Sequence, residues 1–207
     1  MDDVADRLEQ TALGPTTAWG DVKTALDTAL RDGLWVCLPP WAVSRASEYA
    51  PTVSVATVVG FPHGQHTTAT KCEEATAAWK AGADRVDVVG NLGMLDDDSF
   101  AHDIEEVIAA VPIPVTVIVE SPLLDEATLR ETCAAVEETG VAAIKTATDF
   151  NGPTTISAVE VTSEYLPTIA TGGIKSWVSA QDMFAAGATR ISSPRAGEIL
   201  DDARQSE

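Results

Sequence analysis

Ala81-Gly82-Ala83-Asp84-Arg85-Val86-Asp87-Val88-Val89 is the stretch that decides the fold, because it predicts the end of a helix followed at once by a buried strand. The same transition recurs at Thr139-Gly140-Val141-Ala142 and at Ala186-Gly187-Ala188-Thr189-Arg190. In each phrase a glycine stands just past a helix-like segment, where a left-handed C-cap requires one. The recurrence predicts a repeating helix-to-strand architecture without a repeated sequence.

Outward from these phrases, short apolar runs alternate with helical segments, which is the pattern of βα units around a parallel sheet. The predicted strands are Glu9–Leu13, Trp35–Pro39, Val53–Val59, Arg85–Val89, Val115–Glu120, Ala142–Thr146, Thr168–Thr171 and Thr189–Ser193. The predicted helices are Thr17–Asp32, Ala42–Glu48, Thr67–Gly82, Ser99–Val111, Asp125–Gly140, Pro153–Tyr165 and Ser176–Gly187. Eight parallel strands predict one closed (β/α)8 TIM barrel over residues 1–207. An open doubly wound sheet is the alternative, but the sequence has neither a dinucleotide-binding glycine motif nor a phosphate loop.

The charge balance limits the classes of partner. Thirteen Lys and Arg stand against 32 Asp and Glu, giving a net charge of −19. Nucleic-acid or anionic-membrane binding needs clustered basic residues, so we expect neither. The acidic residues are scattered, with a small cluster at Asp96-Asp97-Asp98. Such a lysine-poor surface resembles proteins of a high-salt cytoplasm, where screening removes self-repulsion. An acidic surface that serves only solubility is the alternative.

Location and redox state follow from three further features. No run approaches the roughly 20 apolar residues of a membrane span. The acidic start of the chain lacks the layout of a signal peptide, so we expect none. The cysteines Cys37, Cys72 and Cys133 are odd in number and lack metal-ligand spacing. We therefore expect free thiols in a reducing cytoplasm and no metal site.

Lys145 is the first candidate for chemistry. It ends the apolar run at 141–144, whereas the other four lysines of the chain lie in polar helix-like or loop segments. Burial disfavours the ammonium and lowers the pKa of a lysine, and a partly neutral lysine can form an imine with a carbonyl compound. A structural lysine with its head in solvent or on an acidic partner is the alternative. Asp87, also within an apolar strand, is its candidate partner for structure or for catalysis.

Seven phrases, in order along the chain, resemble the deoxyribose-phosphate aldolase family, which are class I aldolases on a (β/α)8 barrel. The phrases are Leu8-Glu9-Gln10-Thr11, Val36-Cys37-Leu38-Pro39-Pro40, Thr57-Val58-Val59-Gly60-Phe61-Pro62, Gly82-Ala83-Asp84-Arg85-Val86-Asp87, Ile118-Val119-Glu120, Ile144-Lys145-Thr146 and Gly172-Gly173. Each phrase is weak alone, but together they cover nearly the whole chain.

The resemblance implies that Lys145 forms the imine and that Asp87 helps to relay protons. It implies a substrate site that includes Thr11, Thr146, Gly172, Gly173 and Ser193. The implied reaction joins acetaldehyde and glyceraldehyde 3-phosphate reversibly into 2-deoxyribose 5-phosphate, without a metal or other cofactor. A homodimer or homotetramer is also implied, because barrels of this family often assemble so.

Three departures from the family pattern lead us to expect weak or altered activity on the phosphorylated sugar. Ile169 replaces a second active-site lysine whose charge lowers the pKa of the first. Asp149 replaces a glycine near the expected phosphate, and Pro194 removes a backbone N–H donor there. A Schiff-base lyase acting on an unphosphorylated carbonyl compound is one alternative. A non-catalytic barrel that binds a metabolite or a partner protein is the other.

Overall fold

The computed structural model describes residues 2–95 and 99–206, so the acidic cluster Asp96-Asp97-Asp98 lies outside the described residues. Within that part of the chain the strands are β1 Leu8–Thr11, β2 Trp35–Leu38, β3 Val55–Val59, β4 Arg85–Val89, β5 Val115–Ile118, β6 Ala143–Lys145, β7 Thr168–Thr171 and β8 Ala188–Ser193. The helices are α1 Asp2–Ala5, α2 Trp19–Asp32, α3 Val43–Tyr49, α4 Thr68–Lys80, α5 Ser99–Ala110, α6 Glu126–Glu138, α7 Ile156–Ser163, α8 Trp177–Ala185 and α9 Ala196–Gln205.

The strands form a closed parallel barrel in chain order. Closure is made by β8 returning to β1, where Leu8 pairs with Ile191 and Glu9 pairs with Ser192. The predicted (β/α)8 barrel is therefore confirmed, and the open doubly wound sheet is wrong.

The recurring glycine phrases do what their sequence predicts. Gly82, Gly140 and Gly187 have φ of 102°, 82° and 107°, just past the ends of α4, α6 and α8. At Gly82 a Cβ would also lie 2.7 Å from Ser47 Oγ, so this turn has no room for a side chain. These turns reverse the chain directly from helix into strand, as the fold requires.

The boundaries of the predicted strands are close to those observed, but two helices at the ends of the chain were not predicted. The strands β4 and β7 match, and the other strands differ by one or two residues at one end or at both ends. Both α1 and α9 lie outside the predicted helices. The C-terminal α9 buries Ile199, Leu200 and Ala203, a spacing that puts one apolar face on the barrel. The helix was not predicted because the many charged residues of this segment obscure its apolar spacing in the sequence.

The barrel interior contains charged side chains, among them Arg85 and Asp87 of β4. Alternate residues of a strand point to the same side, so Arg85 and Asp87 face the same way from β4. Both contact side chains of other strands across the barrel, which places them inside it. The main hydrophobic core lies instead between the strands and the surrounding helices, with members such as Val36, Leu26 and Ile104. None of the described helices is both long and apolar enough to cross a membrane.

Candidate active site

Lys145 lies at the end of β6 and is only 2% exposed. Its Nζ donates hydrogen bonds to Glu9 Oε1 and to Asp87 Oδ2, each at 2.9 Å. The thiol of Cys37 lies 3.8 Å from the same nitrogen. Barrel closure thus brings β1, β2, β4 and β6 together around one amine, and the predicted pairing of Lys145 with Asp87 is present.

Arg85 contacts the same two carboxylates from the other side. Its Nε donates to Asp87 Oδ1 at 2.7 Å, and its Nη2 donates to Glu9 Oε2 at 2.5 Å and to Asp87 Oδ2 at 3.1 Å. Ser192 adds a hydrogen bond to Glu9 Oε1 at 2.7 Å. We call Glu9, Cys37, Arg85, Asp87 and Lys145 the Lys145 cluster. Each carboxylate in it bridges an arginine and a lysine.

The electrostatics overturn the expectation that the pKa of Lys145 is lowered. Burial by itself lowers that pKa, but the surrounding negative charge, led by Asp87 and including Glu9, outweighs burial and raises it well above its ordinary range. Burial raises the pKa of the Glu9 and Asp87 carboxyls, but Arg85 and Lys145 reverse this, so both pKa values end below their usual range. The resting cluster therefore holds two cations and two anions.

Cys37 takes no part in this charge balance. Burial, the largest influence, raises the pKa of its thiol, so the thiol is neutral in the cluster. Glu9, Cys37 and Asp87 each present one ligand-type atom within 4.8 Å of the others. The Lys145 ammonium contacts all three residues and stands where a metal cation would have to be. The arrangement therefore suits amine chemistry.

A cavity of about 540 Å³ reaches Lys145 from the carboxyl ends of the strands. Its lining includes Thr11, Val58, Ile118, Lys145 and Thr171, which come from five strands. This is the end of a barrel where enzymes place their chemistry. Asp87 lies under Lys145 and does not line the cavity. An aldehyde carbonyl entering from this end meets the lysine first.

Of the predicted substrate-binding residues, the structure brings only Thr11 into the lining of this cavity. The Thr146 hydroxyl is buried and bonds the backbone of Thr171, donating to its oxygen at 2.9 Å and accepting from its N–H at 3.0 Å. Ser193 Oγ donates to the Ile174 oxygen at 2.7 Å. Both hydroxyls join neighbouring parts of the barrel, so a direct role for either side chain in substrate contact stays a prediction.

Asp149 forms a hydrogen bond with Gly173, the second glycine of the pair that follows β7. The backbone of Asp149 is left-handed, with φ of 72°, and its Oδ1 accepts a hydrogen bond from the Gly173 N–H at 3.0 Å. Gly172 is buried beside this contact, with the Thr154 nitrogen only 3.1 Å from where its Cβ would be. A carboxylate of the protein itself therefore accepts a hydrogen bond from a glycine that the family resemblance places in the substrate site.

On the β8 side of the cavity, Gln10 forms hydrogen bonds with the backbone. Pro194 lines the cavity, and its oxygen accepts a hydrogen bond from Gln10 Nε2 at 2.6 Å. Gln10 Oε1 accepts from the Gly197 N–H at 3.1 Å, which fixes β1 to the start of α9. Among the described residues that line the cavity, Lys145 is the one cation, and Asp21 and Asp149 are acidic.

Ile169 lies beside Lys145 in the register of β6 and β7 and is 4% exposed. Arg190 pairs with it on β8, but that guanidinium lies over the Trp35 ring, 4.5 Å from its centroid. The second cation of the Lys145 cluster is therefore Arg85, from β4. No pattern in the sequence indicated a role for Glu9 or Arg85, except for the signal of two charges spaced by two in the apolar strand Arg85-Val86-Asp87.

Lys71 lies in a helix, as expected, but its side chain is buried although the segment is polar in sequence. It is fully buried, and its Nζ donates to Asp103 Oδ2 at 2.6 Å and to the Val89 oxygen at 3.0 Å. Thr68 Oγ1 donates to the other oxygen of Asp103 at 2.8 Å. This pair joins α4, α5 and the end of β4.

Curated relatives share the whole length of the chain. A deoxyribose-phosphate aldolase of Natronomonas pharaonis is 50% identical over 203 residues, which cover 97% of this chain and 94% of the relative. A deoxyribose-phosphate aldolase of Haloarcula marismortui is 48% identical over 204 residues, covering 97% and 88%. The solved tetrameric deoxyribose phosphate aldolase of Aeropyrum pernix superposes with a TM-score of 0.91 at 26% identity, covering 100% of this chain and 93% of the other. No protein-family model matches the chain.

Proposed function

The chain belongs to the deoxyribose-phosphate aldolase family, and from this premise we propose that it catalyses the reversible cleavage of 2-deoxyribose 5-phosphate to glyceraldehyde 3-phosphate and acetaldehyde. The observation that carries the proposal is the amine of Lys145, buried at the base of a cavity and bonded to two carboxylates at 2.9 Å. A buried lysine beside groups that exchange protons is the arrangement that imine chemistry needs.

In this mechanism Lys145 first loses a proton to solvent by way of a neighbouring carboxylate. Glu9 and Asp87 both lie within direct proton-transfer distance. The neutral amine then adds to the aldehyde carbon of the open-chain sugar, and loss of water gives an iminium. The bond between C2 and C3 breaks, its electron pair passes to the iminium as an enamine, and the C3 hydroxyl loses its proton. Protonation of the enamine and addition of water release acetaldehyde and restore Lys145.

We further propose that the phosphate end of the substrate is held weakly. Asp149 occupies the Gly173 N–H, and a phosphate there would meet a carboxylate of like charge. Arg195 Nε donates a hydrogen bond to Glu198 Oε2 at 2.7 Å, so this guanidinium already has a carboxylate partner. These contacts support a high KM for the phosphorylated sugar, with unphosphorylated 2-deoxyribose as a competing substrate for the same imine.

The test is borohydride trapping with acetaldehyde in molar salt, followed by peptide mass spectrometry. We expect a reduced two-carbon adduct on Lys145 and none on the equally buried Lys71, which lies outside the lining of the cavity. A coupled assay for glyceraldehyde 3-phosphate, repeated with Lys145→Met and with the exposed control Lys80→Met, connects the adduct to turnover. Folded protein that gives no adduct at Lys145 would refute the proposal and favour a non-catalytic barrel.

We also propose a homodimer or homotetramer that works in a reducing cytoplasm. The Aeropyrum pernix relative is described as tetrameric. Large apolar side chains stand exposed on this chain, with Trp41 57% exposed and Leu123 58% exposed. The cysteines are free in the described residues. Light scattering coupled to gel filtration in molar salt tests the assembly, and a monomer at micromolar concentration would refute it.

A further inference from the structure

The Lys145 cluster sets an electrostatic problem for imine formation. The amine must lose its proton, yet Glu9 and Asp87 both stabilise the ammonium at 2.9 Å. Loss of that proton leaves two buried carboxylates facing each other, which is costly without a counter-charge. Ile169, the neighbour of Lys145 on β7, is apolar and cannot supply one.

Arg85 supplies that charge through shared oxygens. Lys145 uses Glu9 Oε1 and Asp87 Oδ2, whereas Arg85 binds Glu9 Oε2 and Asp87 Oδ1 and also reaches Asp87 Oδ2 at 3.1 Å. A guanidinium stays protonated under all conditions relevant here. When Lys145 becomes neutral, both carboxylates therefore keep a charged partner and their positions. The net charge of the cluster then falls from 0 to −1, whereas without Arg85 it would fall from −1 to −2.

We propose that Arg85 is a positioning residue for the aldol reaction, a cation that holds Glu9 and Asp87 in place and makes the neutral form of Lys145 accessible. This inference rests on the proposed function and names the group that stands in for a second lysine. Arg85 acts through the carboxylates and does not touch the cavity, since it is absent from the described lining.

The other groups that face the cluster do not replace Arg85. Arg190, from β8, is close enough to interact electrostatically with Glu9 and Asp87, and burial lowers its pKa. Its guanidinium donates a hydrogen bond to the backbone oxygen of Asp6 at 3.5 Å and not to either carboxylate. Cys37, from β2, is a neutral thiol, because burial raises its pKa. Apart from Lys145 itself, Arg85 is the one basic group of the described residues that hydrogen-bonds Glu9 and Asp87, and its charge acts to lower the pKa of Lys145.

The experiment compares wild type, Arg85→Met, Arg85→Gln and Arg85→Lys across pH 6–10. One readout is the borohydride-trapped acetaldehyde adduct on Lys145. The other is acetylation of Lys145 by a trace of acetic anhydride, which reports the neutral amine whether or not an imine forms. Arg130→Met is the matched control, because Arg130 also bonds two carboxylates, Glu126 and Glu164, on the protein surface.

We expect Arg85→Met and Arg85→Gln to move both profiles to higher pH, because loss of a cation favours the ammonium. At a fixed pH below the plateau this means about tenfold less neutral Lys145 for each unit of displacement. Arg85→Lys should recover most of the wild-type profile, and Arg130→Met should match wild type. Arg85→Gln retains hydrogen-bond donors, so it serves if Arg85→Met does not fold.

Unchanged profiles in a folded Arg85→Gln or Arg85→Met protein would overturn the inference, as would equal displacement by Arg85→Lys. The proposed function fails separately. If wild type gives no acetaldehyde adduct while the acetylation profile still moves with Arg85, the reaction is wrong and the role of Arg85 in setting the charge of Lys145 stands.

Discussion

Lys71 and Lys145 are two buried lysines of one barrel, and they differ in how their counter-charges are shared. Lys71 has one carboxylate, Asp103, and one backbone oxygen, and it lies outside the cavity lining. Lys145 has two carboxylates, and Arg85 binds both of them as well. Lys145 also borders a cavity of about 540 Å³. Burial alone therefore does not identify a reactive lysine. Shared counter-charges and access to a cavity are the features on which we propose Lys145 as the reactive one.

The largest expected difference between the two lysines is in turnover. Lys145→Met should lower the rate of aldol cleavage by at least about 10³-fold, because no other amine lies at the cavity among the described residues. Lys71→Met should retain turnover within about threefold per folded molecule, since Lys71 touches no reacting group. The coupled assay, normalised to folded protein by circular dichroism, measures both. Equal losses in the two variants would remove the functional distinction.

The loss of folding stability should be larger for Lys71→Met than for Lys145→Met, the reverse of the order expected for turnover. Among the described residues, Lys71→Met leaves Asp103 buried with the Thr68 hydroxyl as its one remaining side-chain partner, and an uncompensated buried charge costs about 3–5 kcal/mol. Lys145→Met should cost less, because Arg85 still binds Glu9 and Asp87. Urea unfolding in constant salt gives both values. The double variant Lys71→Met, Asp103→Leu should recover part of the loss, and a larger cost for Lys145→Met would contradict this ranking.

Salt should affect the charged surface more than the buried Lys71–Asp103 pair. The net charge of −19 destabilises the folded protein by self-repulsion, which screening weakens. We expect the melting temperature to rise between 0.1 and 2 M NaCl by at least about 2–4 °C, the shift that about 1 kcal/mol produces at this chain length. The cost of Lys71→Met should stay constant, because its ion pair is buried. A flat melting temperature would favour an acidic surface that serves only solubility.

The smallest effect is expected at the cavity rim. Asp149→Gly removes the carboxylate from the Gly173 N–H and suits a backbone with φ of 72°. We expect the KM for 2-deoxyribose 5-phosphate to fall about three- to tenfold, the equivalent of one ordinary hydrogen bond of about 1 kcal/mol. The KM for unphosphorylated 2-deoxyribose should not change. Asp149→Asn is the matched control that removes charge alone, and an unchanged KM in both variants would exclude Asp149 from phosphate binding.

Particular residues show how far the sequence reached into the site. Lys145 and Asp87 stood out because each interrupts an apolar strand, and the structure places them 2.9 Å apart. Glu9 precedes Lys145 by 136 residues, and no local pattern indicated their contact. The burial of Lys71 was not indicated by the sequence, because its helical neighbours Thr70 and Glu73 are polar. Its buried partner is Asp103 on α5, which sequence reasoning could not place against α4.

The sequence by itself determined the alternation of strands and helices, the glycine turns between them and the strand end that carries Lys145. These are consequences of local periodicity and backbone geometry, which act within a few residues. Only the tertiary structure decided the charge of Lys145. Electrostatic interactions depend on distance in space and on burial, and closure of the barrel sets both. Burial was expected to lower the pKa of this lysine. Two carboxylates from β1 and β4 raise it instead, and Arg85 limits that effect.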